Sequence, residues 1–224
     1  MAGKEKHQEY SMYLDSWAKR SFDIAMSLLL LPPALIIMGL ASLNILIREG
    51  RPVFFVHRRA GRNGKPFWLP KLRTLTTDAD PYEPLTEPDK DLLVTRTGKP
   101  LRRHRLDELP QLFSVLAGHM SLVGPRPELP NVVTTYKSVH KKRLLTKPGI
   151  TGLWQIMGNH NLEMHHDMKY DLYYLREASL WLDVKILGMT LRFVFNPKWK
   201  HPYESRIYTH HIPQSDRDFC GQRN

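Results

Sequence analysis

The sequence contains very little cysteine, and its other absences also narrow the possible functions. Cys220 is the single cysteine among 224 residues, so no disulfide can form within the chain and a cytosol-facing domain is the simpler expectation. No internal repeat is present, and neither common type of Gly-rich phosphate loop occurs. Acidic residues number 22 against 33 basic ones, which gives a formal net charge of +11. This excess favours anionic partners: nucleic acid, an anionic membrane surface or phosphorylated small molecules.

Charge is missing altogether from one long apolar run, Ile24 to Ile47, "IAMSLLLLPPALIIMGLASLNILI". As a helix this run is long enough to cross a hydrocarbon core, which requires about 20 residues. Pro32 and Pro33 lie inside it, and proline removes a backbone donor and clashes with the preceding turn. The pair therefore predicts a break or kink in the helix.

Basic residues flank the apolar run on both sides, so the positive-inside rule gives it no direction. Three arrangements follow: a broken helix that enters the membrane and returns to the same face, a kinked span, or a buried helix of a soluble core. The two-sided charge favours the re-entrant helix, because it leaves both flanks on the cytosolic side. The flanking residues are Lys19, Arg20, Arg48, Arg51, Arg58 and Arg59.

The remaining sequence predicts short strands and several helices. "PVFFVH" and "FWLPKLRTL" are β-prone segments joined by the turn residues "AGRNGK". Helices are expected over Glu108–Ala117, ended by Gly118, through "NVVTTYKSVHKKRLL", and from about Leu162 to Phe195 in one or two pieces. Residues 76–90 are acidic and Pro-rich, which predicts a loop.

Two adjacent carboxylates, Asp107 and Glu108, begin the first of these helices within "RLDELPQL". If Asp107 is the N-cap, Pro110 falls in the first turn, where its missing donor costs little. The helix N-terminus would then favour an anion and an ionised Asp107, as a carboxylate nucleophile requires. Capping alone explains Asp107 equally well, so both interpretations stay open on this dipeptide.

Arginines surround the carboxylate pair in the sequence. Arg102, Arg103 and Arg105 precede it, and guanidinium groups match phosphate geometry, although mixed charges are also typical of a solvated surface. Arg126 lies between two prolines in "GPRP", which predicts a rigid loop that holds it in a fixed direction or serves as an ordinary connector.

A second basic pair, Lys71 and Arg73, occurs in "KLRT". In a strand, residues at i and i+2 point to the same side, so both cations could face one anion. Further along, Pro148 and Gly149 fit a type II turn in which glycine takes a positive φ.

Taken together, these motifs resemble the bacterial sugar transferase family, the small monotopic polyprenyl-phosphate phosphoglycosyl transferases. The resemblance rests on "KRSFD", the proline-interrupted apolar run, "PVFFVHRRAGRNGKPFWLPKLRT", "TGKPLRRHRLDELPQL", "GHMSLVGPRPE", "KPGITGLWQ" and "YDLYYLREASLWLDVKIL". Each is weak alone, but their order and spacing over about residues 19–195 are specific.

The resemblance implies an enzyme that transfers a phosphosugar from a UDP-sugar to undecaprenyl phosphate and releases UMP. Asp107 would be the nucleophile that forms a covalent phosphosugar intermediate, and Glu108 would assist with Mg²⁺ or deprotonate the acceptor phosphate. The same resemblance implies phosphate or nucleotide binding for Lys71, Arg102 and Arg126, with Arg73 beside Lys71. It adds Asp171 as a further polar site position.

The implied fold is α+β and mostly helical, in a monotopic membrane protein. We expect an N-terminal interfacial segment (residues 1–20), a Pro-broken re-entrant membrane helix (21–48), a small cytosolic catalytic domain (49–195) and a C-terminal tail (196–224). The expected location is the cytosolic face of a bacterial inner membrane, and a homo-oligomer stays open. The alternatives are a membrane-anchored nucleic-acid binder, for which no recognised motif is present, and an inactive scaffold of the same fold.

Overall fold

The computed structural model describes residues 10–79, 92–157 and 168–197. Several sequence predictions lie wholly or partly outside these ranges. They are the first nine residues of the N-terminal interfacial segment, most of the acidic loop at 76–90, the start of the last helical region at Leu162, and nearly all of the C-terminal tail.

Helices dominate the described residues, which confirms the mostly helical α+β class. The strands are β1 (Phe54–Ala60), β2 (Pro66–Leu72), β3 (Ser121–Val123) and β4 (Gly149–Thr151). The helices are α1 (Trp17–Glu49), α2 (Gly98–Arg103), α3 (Gln111–Leu116), α4 (Pro130–Thr134), α5 (Ser138–Lys141), α6 (Leu153–Met157), α7 (Lys169–Glu177) and α8 (Leu180–Phe195). Short 3₁₀ helices cover Met12–Asp15, Arg62–Gly64, Leu106–Glu108 and Lys142–Leu145.

The predicted β-hairpin is confirmed. Strands β1 and β2 pair antiparallel, with Phe55 opposite Lys71, and the turn between them uses positive φ at Asn63 and Gly64. Strands β3 and β4 form a separate parallel pair. The hairpin presents Lys71, while the β3–β4 pair supports the loop that carries Arg126.

One predicted helix is divided. The segment "NVVTTYKSVHKKRLL" forms α4, α5 and a 3₁₀ turn instead of a single helix. Thr134 Oγ1 donates to Asn131 O at 2.6 Å, and Thr135 Oγ1 donates to Val132 O at 2.8 Å. Such local side-chain bonds compete with helical backbone pairing, and two consecutive β-branched residues add to the effect.

The last helical region divides at Ala178 and Ser179 into α7 and α8. Ser179 is the N-cap of α8, where its side chain accepts from Leu182 N at 3.3 Å. The division turns α8 back across the molecule, and its Asp183 reaches the N-terminal end of α1.

Helix α1 is 33 residues long and continues without interruption through Pro32 and Pro33, so the predicted break is not confirmed. It is the one described helix long and apolar enough to cross a membrane, and only 22% of its most apolar window is buried. One stripe of α1 packs against the protein: Lys19, Asp23, Ser27, Ala34, Met38, Ala41 and Ile45. The opposite face exposes large apolar side chains, including Leu29, Ile36, Leu40 and Ile47.

Both ends of α1 bind the same folded body. At the N-terminal end, Lys19 Nζ lies 2.6 Å from Asp183 Oδ2 in a buried ion pair. At the C-terminal end, Arg73 Nη2 donates to Glu49 O at 2.9 Å, and Ile45 packs in a cluster with Leu72. The helix therefore has a protein-facing side along its whole length and an exposed apolar side.

Candidate active site

A polar cavity of about 240 Å³ brings together residues from five separate segments of the chain. Strand β2, helix α2, the 3₁₀ turn Leu106–Glu108 with the residue before it, the loop after β3, and helix α6 all contribute. Its lining residues are Lys71, Arg102, Arg105, Asp107, Glu108, Arg126, Trp154 and Gln155. Four cations thus face two carboxylates, which is the composition expected of a site that handles phosphates.

The carboxylate pair lies in a 3₁₀ turn and not at a helix N-terminus. Helix α3 begins at Gln111, with Pro110 as its N-cap, so the predicted N-cap role of Asp107 and the start of the helix at Glu108 are wrong. The tight turn follows Arg105, which adopts a left-handed conformation (φ 55°). This local backbone directs both adjacent carboxylates into one cavity. The predicted end of the helix at Gly118 is close to the observed one, and Gly118 has a φ of 86°.

Glu108 is buried and bound by two cations. Lys71 Nζ lies 2.9 Å from Glu108 Oε1, and Arg126 Nη1 lies 3.3 Å from the same oxygen. Burial opposes ionisation, but the charges of Lys71 and Arg126 outweigh it and hold the pKa of Glu108 well below its usual range. Glu108 is therefore ionised at neutral pH.

Asp107 differs from its neighbour. Its side chain is only 5% exposed, and among the described residues no hydrogen bond or ion pair engages its carboxylate. Burial raises the pKa of Asp107 to about 6; the charge of Lys71 opposes this, and the negative charge of Glu108 adds to it. The site thus contains one carboxylate fixed by cations and one carboxylate left available to react.

Arg126 is held from behind by a buried ion pair. Arg143 Nη2 donates to the carbonyl oxygen of Arg126 at 2.9 Å and lies 2.7 Å from Asp171 Oδ2. Asp171 is therefore not part of the cavity wall. The structure places it one layer behind, where its contact with Arg143 supports the backbone of the Arg126 loop.

Arg73 is also placed away from the cavity. Strand β2 ends at Leu72, and the guanidinium of Arg73 turns toward the C-terminal end of α1, where it donates to Glu49 O and Gly50 O at 2.9 Å each. The alternation that predicted a shared side for Lys71 and Arg73 stops with the strand. Helix carbonyls left without partners are a natural site for a cation.

Gly149 serves close packing and not the predicted turn. It is absent from the glycines with positive φ and begins β4, where Gly149 N donates to Pro125 O at 2.9 Å. A Cβ at this position would collide with the backbone of Gly124. The glycine therefore lets β4 approach the "GPRP" loop closely.

Two adjacent carboxylates in this cavity suit Mg²⁺, which is usually bound by one or two protein carboxylates together with waters and substrate phosphates. Asp107 and Glu108 would hold it. No group of three or more metal-ligating His, Cys, Asp or Glu side chains occurs within residues 10–79, 92–157 and 168–197. The two carboxylates would leave the remaining coordination positions of such a metal to waters and substrate oxygens.

Three of the lining residues are not among the site residues predicted from the sequence: Arg105, Trp154 and Gln155. Arg105 belongs to the quoted arginine run, but its left-handed backbone has no sequence signal. Its Nη2 donates to Gln155 O at 2.8 Å, which joins the carboxylate turn to α6. The "GLWQ" segment belongs to one of the family motifs, but only the fold shows that Trp154 and Gln155 reach the cavity.

Comparisons with known proteins identify the family to which the chain belongs. The sequence profile of the family described as "Bacterial sugar transferase" matches residues 14–197. The chain is 40% identical to an uncharacterized sugar transferase, EpsL, of Bacillus subtilis over 79% of this chain and 86% of that protein. It is 37% identical to a galactosyl transferase, CpsE, of Streptococcus agalactiae over 79% of this chain and 42% of that protein.

A further relative is the undecaprenyl-phosphate galactose phosphotransferase of Salmonella typhimurium, 34% identical over 79% of this chain and 40% of that protein. The chain thus spans about two fifths of these larger relatives and most of EpsL. The matched region contains the whole cavity and helix α1. The chain belongs to the bacterial sugar transferase family.

Proposed function

We propose that the protein is a polyprenyl-phosphate phosphoglycosyl transferase: it transfers a phosphosugar from a UDP-sugar to undecaprenyl phosphate and releases UMP. The family supports this proposal, as do relatives whose names specify transfer of galactose or glucose phosphate to undecaprenyl phosphate. The product would begin the assembly of a membrane glycoconjugate or polysaccharide. Pocket shape, and not the motifs, would select the sugar.

The observation that carries the proposal is the buried, unengaged carboxylate of Asp107 among cations. An oxygen of Asp107 attacks the sugar-linked phosphorus of the donor, the bond from that phosphorus to the UMP oxygen breaks, and UMP leaves. An acceptor phosphate oxygen then attacks the same phosphorus and breaks its bond to Asp107. This regenerates the carboxylate and yields the diphosphate-linked sugar.

The surrounding residues bind and neutralise charge. Arg102 and Arg126 bind donor phosphate oxygens, and Lys71 keeps Glu108 ionised, so that the carboxylate pair can hold Mg²⁺. When bound, Mg²⁺ offsets the negative charge of the diphosphate and of the leaving UMP. Asp171 and Arg143 maintain the position of Arg126 from behind.

Helix α1 would hold this site against the cytosolic face of a bacterial inner membrane. Both ends of α1 bind the same folded body. If α1 crossed the bilayer, its two ends would lie on opposite sides, and one folded body could not bind both. We therefore propose a monotopic arrangement in which the apolar face of α1 contacts the lipid and both ends stay on one side of the bilayer. The re-entrant break at Pro32 and Pro33 remains a prediction of this proposal.

UMP release tests the proposed activity. Protein in nanodiscs would be given Mg²⁺, undecaprenyl phosphate and a panel of UDP-sugars, with Asp107→Asn beside Asp78→Asn, a control at an exposed loop carboxylate. We expect one donor to yield UMP, Asp78→Asn to match the wild type and Asp107→Asn to lose essentially all activity. Full activity in Asp107→Asn would refute the nucleophile, and a silent wild type across the panel would favour the scaffold alternative.

A further inference from the structure

A second cavity, of about 320 Å³, lies between α1 and α8 beside the polar site. Its walls are almost entirely apolar; Pro33 and Ile37 come from α1, and Leu187 and Leu191 come from α8. We call it the α1–α8 groove. Ile37 is 38% exposed and Leu191 is 52% exposed, so the groove opens toward the exposed apolar face of α1 and is not sealed in the core.

The groove and the polar cavity share two residues, Arg105 and Glu108, which line both. Arg105 is held at this junction from two sides: its Nη2 donates to Gln155 O, and its guanidinium lies 4.7 Å from the ring centre of Phe193. His104 Nδ1 lies 2.6 Å from Val194 O and joins α8 to the same turn. The α1–α8 groove therefore ends at the cation Arg105, beside the carboxylate pair of the polar cavity.

We propose that the α1–α8 groove holds the prenyl chain of the acceptor and that Arg105 binds the acceptor phosphate at the junction. This inference rests on the proposed function and assigns a separate place to one of its two substrates. The two compartments match an amphipathic ligand with a single phosphate at the end of a hydrocarbon chain. A nucleotide sugar offers no hydrocarbon for the groove, which leaves the polar cavity to the donor.

The arrangement places the acceptor correctly for the second chemical step. An acceptor phosphate at Arg105 lies beside Glu108, next to the phosphosugar carried by Asp107. The guanidinium presents several donors in a planar fork, and the one hydrogen bond described for it occupies a single nitrogen. The apolar side of α1 would admit the chain laterally from the bilayer, without bringing the hydrocarbon through water.

Leu191→Trp tests the groove by filling it. Val184→Trp is its matched control, because Val184 lies on the same helix, is 41% exposed and does not line the groove. Protein in nanodiscs would be assayed for the UMP burst without acceptor and for the KM of undecaprenyl phosphate. We expect an unchanged burst and a KM raised about tenfold or more in Leu191→Trp alone. The ratio of kcat/KM for undecaprenyl phosphate to that for geranyl phosphate should also be smaller in Leu191→Trp than in the wild type.

Ile37→Trp repeats the test from the opposite wall, with Ile36→Trp as its control, in case the first variant does not fold. For the phosphate, Arg105→Lys keeps the charge and loses the fork, with the exposed Arg103→Lys as control. We expect Arg105→Lys to raise the KM of undecaprenyl phosphate about tenfold and to raise the KM of the UDP-sugar by much less. An equal rise of the donor KM and the acceptor KM would indicate a merely structural role for Arg105 and would overturn its assignment to the acceptor phosphate.

The outcomes separate this inference from the proposed function. No UMP release from the wild type with any donor in the presence of undecaprenyl phosphate would overturn the proposed function itself. A normal burst with an unchanged acceptor KM in both groove variants would overturn the inference. The groove would then belong to bilayer lipid. A raised acceptor KM with a normal burst supports both.

Discussion

The pH dependence of UMP release should report the charge that Lys71 contributes to the carboxylate pair. Lys71 Nζ lies 2.9 Å from Glu108 Oε1, and both side chains are largely removed from solvent, with 17% and 8% exposed. At an effective dielectric constant of about 20, unit charges at this separation attract by about 6 kcal/mol. Among the cations around Asp107, Lys71 also has the largest lowering effect on its pKa.

Lys71→Met removes that charge and should therefore move the acid limb of the pH–rate profile to higher pH. If Lys71 stabilises the ionised Asp107 by only a quarter of this energy, the loss of ~1.4 kcal/mol raises the pKa of Asp107 by about one unit. Burial already raises the pKa of Asp107 to about 6, and a further rise means that the nucleophilic carboxylate forms only at higher pH. The activity should consequently be lost earlier as the pH falls.

The assay is kcat/KM for the UDP-sugar across the acid range, because this ratio reports ionisations of the free enzyme. Lys65→Met removes an exposed lysine from the hairpin turn and should leave the profile unchanged. Lys71→Arg keeps the charge and should stay near the wild-type midpoint. A lower rate in Lys71→Met with an unmoved acid midpoint would refute the electrostatic role and leave Lys71 as a substrate contact only.

Three further predictions concern the metal and the scaffold. Raising Mg²⁺ should move the same acid midpoint to lower pH, because a cation at the pair favours the ionised carboxylates, and Glu108→Gln should weaken that response. Gly149→Ala should lower the free energy of unfolding by ~1–3 kcal/mol, measured by denaturant titration in detergent, because its Cβ collides with the Gly124 backbone. Lys19→Met should cost ~3–5 kcal/mol in the same titration by leaving Asp183 buried without its cation.

Each of these has a clear contrary result. A pH midpoint independent of Mg²⁺ would place the metal away from the carboxylate pair. Unchanged stability in Gly149→Ala would mean that the "GPRP" loop can move aside. A neutral effect of Lys19→Met would indicate that Asp183 takes up a proton and stays satisfied by Tyr13 and Tyr174, whose hydroxyls donate to it at 2.9 and 2.7 Å.

Local sequence signals predicted the elements that depend on local chemistry. The hairpin followed from β-prone residues around "AGRNGK", and the apolar run gave α1 because composition and length suffice for that inference. The prediction for "NVVTTYKSVHKKRLL" was wrong, since threonine side chains bonded to nearby carbonyls. The continuity of α1 at Pro32 and Pro33 also departs from the local expectation.

The sequence by itself determined the chemical inventory of this protein: an Asp-Glu pair, arginines nearby, a membrane-length apolar helix and the family to which they belong. Only the tertiary structure decided which cations meet the pair. Arg105 and Gln155 lie at the cavity, whereas Arg73 turns to the end of α1 and Asp171 lies behind Arg126. Side-chain direction depends on where a strand ends and which distant carbonyl is within reach, and neither is encoded within a few residues of the chain.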